Sequence, residues 1–211
     1  MGASAHLYLA LGGLCCLASP APNAPSAPVP AAGEGHRICW QEGRRLQWRD
    51  FCAKTVPKSS SYNSDKMGAI SSVGVSIEAV TESGRRTYRV DCVFISDSSW
   101  VNNKVITTNE GRTRVLIHEQ LHFDIAELKA RKLRWRIAQG VQASEDIYGP
   151  KATQDIARLR ADDTLDNQLD SESISASGNK VDSPIAKRWQ LRLARELNTL
   201  VAYKSTATSC P

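Results

Sequence analysis

Two histidines and a glutamate form the part of this sequence with the clearest potential for chemistry. The segment His118-Glu119-Gln120-Leu121-His122 places its histidines four residues apart. Residues at that spacing on an α-helix project from the same side, so both imidazoles can bind one metal ion, and zinc suits two imidazole ligands. Glu119 would lie beside a metal-activated water, where it can accept a proton and later deliver it to the leaving group. The spacing therefore predicts a hydrolytic zinc site with His118 and His122 as ligands and Glu119 as general base.

A catalytic zinc site usually has a third protein ligand, and the remaining histidines do not supply one. His6 lies in an apolar N-terminal segment, and His36 lies where the folded domain is expected to begin. A carboxylate is therefore favoured. Asp124 and Glu127 are close in sequence, but at about 100° per residue both lie off the histidine face of a straight helix. Spacing alone leaves the third ligand open.

The same segment carries a family resemblance. His118–Glu127, HEQLHFDIAE, resembles the active-site segment of the bacterial domain of unknown function 922, a family predicted to consist of zinc-dependent proteases. The resemblance implies zinc-dependent hydrolysis of a peptide or protein substrate. It covers most of residues 38 to 198, because further segments are similar to other motifs of the family: Leu46–Phe51, Ser99–Val101, and Leu169–Ser173 with Trp189.

The C-terminal motif departs from the family's pattern. Where the family has Tyr-Asp-x-x-Thr-x-His, this chain has Leu169, Asp170, Ser173 and Ser175 at the first, second, fifth and seventh positions. The resemblance implies Asp170 as the third zinc ligand, because this matching position retains a ligating side chain, with Glu172 as the alternate. If the family's ligand is instead the final histidine, this chain lacks it. The alternative is then a catalytically degenerate exported module that binds or interacts with a partner and retains the fold.

The elements that must position these residues follow from hydrophobic patterning. Residues 69–77 and 86–95 alternate apolar and polar side chains on either side of turn residues, which predicts a β-hairpin. Thr107 with Glu110 matches a capping box, so the metal-binding helix should start there and run to about Gln139, with Gly140 as its stop. Its buried face is predicted from an apolar stripe at helical spacing: Val115, Leu121, Ile125, Leu128 and Trp135.

Shorter elements are expected on either side. The aromatic segment 38–51 is interpreted as strand, residues 153–165 as helix, and Pro184 to about Tyr203 as a final amphipathic helix with proline in its first turn. The predicted fold class is α+β. A small antiparallel sheet packs against the long metal-binding helix and the C-terminal helix, as in a zincin, with the metal in the cleft between sheet and helices.

The first 34 residues differ in composition from the rest. Residues 7–18 form an apolar run of the length of a signal-peptide core, too short for a comfortable bilayer span. We therefore predict a signal peptide at 1–18, an Ala/Pro-rich linker at 19–34 and a zinc-dependent hydrolase domain at 35–211. The protein would be periplasmic or secreted, without a stable membrane span. Lipid attachment at Cys15 or Cys16 is disfavoured by the preceding Gly-Gly-Leu, and a disordered tail is the alternative because the run lacks basic residues before it.

Charge and cysteine content bear on partners and compartment. The net charge of +5 is carried by residues from Glu34 onward, and basic residues are interspersed with acidic ones, which argues against nucleic-acid binding. Apart from Cys15 and Cys16, the cysteines lie far apart in sequence without the CxxC spacing of a metal site. They predict two disulfides, and of the three possible connectivities Cys39–Cys52 with Cys92–Cys210 is favoured. The alternative is that some of these cysteines are buried thiols.

Overall fold

The computed structural model describes residues 36–56, 67–82, 85–142, 146–177 and 183–206. The predicted signal peptide and linker lie outside these ranges. The strands are β1 (Arg37–Cys39), β2 (Ala69–Ile70), β3 (Val73–Glu82), β4 (Arg85–Ile95) and β5 (Trp100–Val101). The helices are α1 (Asn109–Gln142), α2 (Pro150–Arg160), α3 (Thr164–Ser177) and α4 (Ser183–Thr199), and short 3-10 turns occur at Trp48–Asp50, Ser96–Ser98 and Val201–Tyr203. The α+β class is as predicted.

The predicted β-hairpin is confirmed as β3 and β4, but the predicted strand 69–77 is divided, since residues 69–70 form β2 and the hairpin strand starts at Val73. The two strands pair antiparallel from Val73 opposite Phe94 to the turn, and β1 pairs with the other side of β4, which gives the order β1-β4-β3. A separate two-stranded sheet joins β2 and β5. Alternate residues of β4 that are apolar, Val90, Cys92 and Phe94, are buried in the main core. The segment 38–51, interpreted as strand, is a strand only at its start, and its other regular element is the 3-10 turn at Trp48–Asp50.

The helix α1 buries two faces. One packs on the sheet through residues such as Phe123, Ala130 and Leu133. The other packs on α3 and α4 and continues the predicted stripe through Leu121, Ile125 and Leu128. Because α1 is covered on two sides, its buried residues are spread around the helix and do not form one apolar stripe opposite one polar face.

Three predicted details of α1 are wrong. The hydroxyl at the start of the helix that accepts a backbone N–H, from Gly111 at 3.0 Å, belongs to Thr108 rather than Thr107. Gly140 does not stop the helix but is buried within it; its cost of about 1 kcal/mol in helix propensity is small beside the packing of a long helix. Trp135, predicted to be buried, is 43% exposed.

The helices α3 and α4 form the second core with α1. Leu169 of α3 and Trp189 and Leu193 of α4 are almost fully buried against the second face of α1. Pro184 lies in the first turn of α4, as predicted. The helix predicted at 153–165 is wrong in extent. The helix α2 ends at Arg160, with Ala161 as its C-cap, and a separate helix, α3, starts at Thr164. The N–H of Thr164 donates to the Asp162 carboxylate at 3.1 Å.

Both predicted disulfide pairings are wrong. Cys52 and Cys92 each carry a thiol, so neither Cys39–Cys52 nor Cys92–Cys210 forms, and Cys210 itself lies outside the described residues. Cys39 is disulfide-bonded, but within the described ranges no disulfide joins two cysteines. Cys92 is held in the core under α1, with its Sγ 3.8 Å from the carbonyl oxygen of Phe123. Among the described helices, none is both long and apolar enough to cross a membrane.

Candidate metal centre

The two histidines of α1 and one carboxylate of α3 converge on a single point. The Nε2 atoms of His118 and His122 lie 3.1 Å apart. Asp170 directs Oδ1 to within 3.3 Å of each of these nitrogens. The structure therefore brings together the three residues that were expected as metal ligands, two from α1 and one from α3.

The spacing of these three atoms fits a tetrahedral metal ion. Zinc bonds of about 2.0–2.1 Å place any two ligand atoms of a tetrahedral site about 3.3–3.4 Å apart. The observed separations of 3.1, 3.3 and 3.3 Å describe a nearly equilateral triangle of almost that size. Two imidazole nitrogens and a carboxylate oxygen are also a donor set that suits catalytic zinc, with a fourth position left for water or substrate.

The Nδ1 atoms of both histidines, which lie on the far side of each ring from the donor triangle, contact the same face of α3. His122 Nδ1 lies 2.9 Å from Asp166 Oδ1, and His118 Nδ1 lies 3.4 Å from the hydroxyl of Ser173. Asp166, Asp170 and Ser173 are spaced by four and three residues, so they line one side of the helix. One face of α3 thus contacts both ring nitrogens of His118 and both ring nitrogens of His122. Asp166 and Ser173 were not predicted to take part. Asp166 belongs to a run of four aspartates, at 162, 163, 166 and 170, and such a run is typical of a solvated loop.

Electrostatics at the site favour a charged carboxylate beside a cation. Burial alone lowers the pKa of His122, but its hydrogen bonds with Asp166 and Asp170 outweigh that effect and raise the pKa to about 10. Burial raises the pKa of Asp170, yet the hydrogen bonds from His118 and His122 outweigh it and hold this pKa well below its usual range. Asp170 is therefore ionised. A metal ion would replace the proton on His122 as the positive charge in this group.

Glu119 follows His118 directly in sequence but makes a different contact. Its side chain is buried, with 5% of the residue exposed, and its Oε2 accepts the backbone N–H of Ser71 at 2.9 Å. Ser71 lies between β2 and β3, so Glu119 links α1 to the start of the hairpin. The segment between β2 and β3 thus contributes a backbone N–H, that of Ser71, whereas the three candidate ligands come from helices. A backbone contact of this kind leaves no signal in the sequence.

The alternate third ligand lies elsewhere. The carboxylate of Glu172 accepts hydrogen bonds from Arg188 at 2.7 Å and from the indole of Trp189 at 2.9 Å. These bonds attach α3 to α4, and the hydrogen bond from Arg188 lowers the pKa of Glu172. Ser175 falls within α3, but its side chain lies outside what the structure describes. Of the two carboxylates considered, Asp170 is the one that faces the histidines.

Two polar residues of the HEQLHFDIAE segment hold the N-terminal part of the domain. Asp124 Oδ1 accepts hydrogen bonds from the indole of Trp40 and from Gln120 Nε2, both at 2.9 Å. Gln120 Oε1 in turn accepts the backbone N–H of Leu46 at 2.8 Å. Burial raises the pKa of Asp124. Asp124 therefore faces away from the histidines, as helix geometry predicts.

Glu127 holds the C-terminal part in the same way. Its side chain is completely buried, and its carboxylate accepts the backbone N–H of Ser205 at 2.9 Å and the Ser205 hydroxyl at 2.6 Å. Arg131 donates to it at 2.8 Å and also to the carbonyl oxygen of Leu197 at 2.6 Å. The segment thus combines residues that could bind metal with residues that assemble the domain around them.

Comparison with known proteins adds no relative: no protein-family model matches the chain, and no curated protein or solved structure is detectably similar to it. The resemblance to the domain of unknown function 922, and the zincin-like character of the fold, therefore stay predictions.

Proposed function

We propose that this protein is an exported zinc-dependent hydrolase, a metallopeptidase, with His118, His122 and Asp170 as the metal ligands. The observation that carries the proposal is the triangle of donor atoms, whose edges of 3.1, 3.3 and 3.3 Å match one face of a tetrahedral zinc site. A zinc ion held there would supply Lewis-acid chemistry, since it polarises a carbonyl and lowers the pKa of water to about 7.

Glu119 is the residue of this chain best placed to move the proton. It follows the first ligand on the same helix, and the N–H of Ser71 fixes the orientation of its carboxylate at 2.9 Å. A carboxylate so held accepts a proton from the attacking water and returns it to the departing amine. Because Glu119 is buried and is not one of the three converging residues, we assign it proton transfer rather than ligation.

The choice of substrate and the cellular location depend on sequence evidence. Peptide bonds are proposed over other hydrolysable bonds because of the resemblance of the HEQLHFDIAE segment. Export is proposed because residues 1–18 have the composition of a signal peptide.

The decisive comparison is between Glu119→Gln and the zinc-loaded parent on a library of internally quenched fluorescent peptides. General-base catalysis contributes about 10²–10⁴-fold, so cleavage should fall by that factor, which corresponds to about 3–5 kcal/mol in activation free energy. Zinc content should not change, because the glutamine amide oxygen can still accept from Ser71.

Glu110→Gln provides the matched control. Glu110 is an exposed residue of the first turn of α1, paired with Arg114 at 3.1 Å, and its substitution should leave cleavage unaltered. If the parent binds zinc but cleaves no peptide, or if Glu119→Gln cleaves as fast as the parent, the metallopeptidase proposal fails and the degenerate binding module takes its place.

A further inference from the structure

We propose that Asp166 is a positioning residue for the metal ligand His122: it accepts the Nδ1–H of that imidazole and thereby fixes Nε2 as the atom that binds metal. The contact joins His122 Nδ1 to Asp166 Oδ1 at 2.9 Å. This inference rests on the proposed zinc site, which it deepens by assigning a residue outside the ligand set.

The two nitrogens of His122 have separate partners. Nε2 lies in the donor triangle, 3.1 Å from His118 Nε2 and 3.3 Å from Asp170 Oδ1. Nδ1 points to Asp166 on the opposite side of the ring. An imidazole that binds a metal through one nitrogen keeps a single N–H on the other, and a carboxylate oxygen accepts a hydrogen bond, so Asp166 would hold that hydrogen on Nδ1 and leave the Nε2 lone pair for the metal. Such a partner also makes the imidazole a stronger ligand.

The contact of Asp166 differs from those of its acidic neighbours. Asp163 pairs with Lys129 at 2.9 Å, and Glu172 pairs with Arg188 at 2.7 Å, so each meets a cation that is independent of the metal. Within the described ranges the ion pair of Asp166 is with His122. Its side chain is also more enclosed than that of Asp163, at 27% against 60% exposure. A carboxylate used only to favour the start of α3 would not need this contact.

Ser173 gives an internal comparison on the other histidine. Its hydroxyl lies 3.4 Å from His118 Nδ1, a longer contact made by a neutral group. Hydrogen bonds to ionised groups are roughly twice as strong as neutral ones. The helix α3 therefore orients His122 more firmly than His118, and loss of Asp166 should weaken metal binding more than loss of Ser173.

The test is the zinc dissociation constant of the full chain, measured by competition with a chromophoric chelator. Loss of an outer partner of a ligating histidine costs about 10–100-fold in metal affinity, and we expect that loss for Asp166→Ala. Asp166→Asn should lose less, because its amide oxygen still accepts the Nδ1–H. Asp163→Asn, which removes the same charge from the same end of α3 without touching a histidine, should bind zinc as the parent does.

A second readout follows the hydrogen itself. In the zinc-loaded parent, ¹H–¹⁵N NMR of the imidazole groups should show a slowly exchanging Nδ1–H on His122, and Asp166→Ala should lose that protection while Asp163→Asn keeps it. If Asp166→Ala does not fold, Asp166→Asn carries both measurements. Equal zinc affinity in the parent and in both Asp166 variants would overturn this inference alone, whereas a parent that takes up no zinc would overturn the proposed function as well.

Discussion

Replacement of Glu127 by alanine should destabilise the domain severely without removing any of the candidate metal ligands. Glu127 is fully buried in α1, where it faces Arg131 at 2.8 Å and Arg134 at 3.5 Å and receives both hydrogen bonds from Ser205. The variant leaves Arg131 and Arg134, whose side chains are exposed by 4% and 16%, without their shared carboxylate. The last described segment of the chain also loses its attachment to α1.

The size of the effect follows from burial. Removal of one partner from a buried ion pair costs about 3–5 kcal/mol, because the remaining charge is left uncompensated. For a domain of this length, about 2–4 °C of melting temperature is lost per kcal/mol. The melting temperature of Glu127→Ala should therefore fall by about 6–20 °C.

Thermal unfolding followed by circular dichroism measures this shift, and Glu196→Ala is the matched control. Glu196 pairs with Arg192 at 3.0 Å on α4, but both side chains are more than a third exposed. An exposed helical pair of this kind contributes about 0.3–0.5 kcal/mol, so its loss should lower the melting temperature by about 2 °C or less. If the two variants melt within a degree or two of each other, the buried network does not hold the C-terminal segment as described.

Two further outcomes are expected. Removal of zinc with a chelator should loosen α3, because this helix supplies Asp170 to the donor triangle and buries mainly Leu169. Hydrogen exchange of the backbone amides of α3 should then accelerate more than that of β4. Equal protection of α3 with and without zinc would argue against a metal link between α1 and α3. The Cys92 thiol should resist alkylation in the folded protein and react after unfolding, since burial, and then the charge of Glu127, raise its pKa well above the usual value; intact-mass spectrometry measures this, and rapid native labelling would show that the site is not enclosed.

The long helix and the hairpin could be predicted because their signals are local. The four-residue spacing of the histidines lies within one helix, and the alternation in β3 and β4 lies within one pair of strands. The start of α1 was also predicted from a local pattern, Thr107 with Glu110, although Thr108 is the residue that caps it. The rule of about 100° per residue also placed Asp124 and Glu127 off the histidine face correctly. It could not show what they bind, since Trp40 and Ser205 are 84 and 78 residues away along the chain.

The α3 side of the site could not be predicted by the same reasoning. The sequence of α3 is polar and weakly amphipathic. Hydrophobic periodicity therefore does not reveal that one helix ends near Ala161 and another begins at Thr164. Asp166 and Asp170 acquire partners only when this helix packs against α1. The cysteine pairings were wrong for a related reason, because sequence spacing does not reveal that Cys92 is enclosed between β4 and α1.

The metal content of the purified full chain, determined by elemental analysis, tests the central claim most directly. We expect one zinc per chain in the parent protein, none in His118→Ala, weakened retention in Asp170→Ala, and full retention in Glu172→Gln, because Glu172 is bound to Arg188 and Trp189 rather than to the donor group. Absence of zinc from the parent, or equal zinc in the parent and His118→Ala, would contradict the metal centre and leave the histidines as ordinary residues of α1.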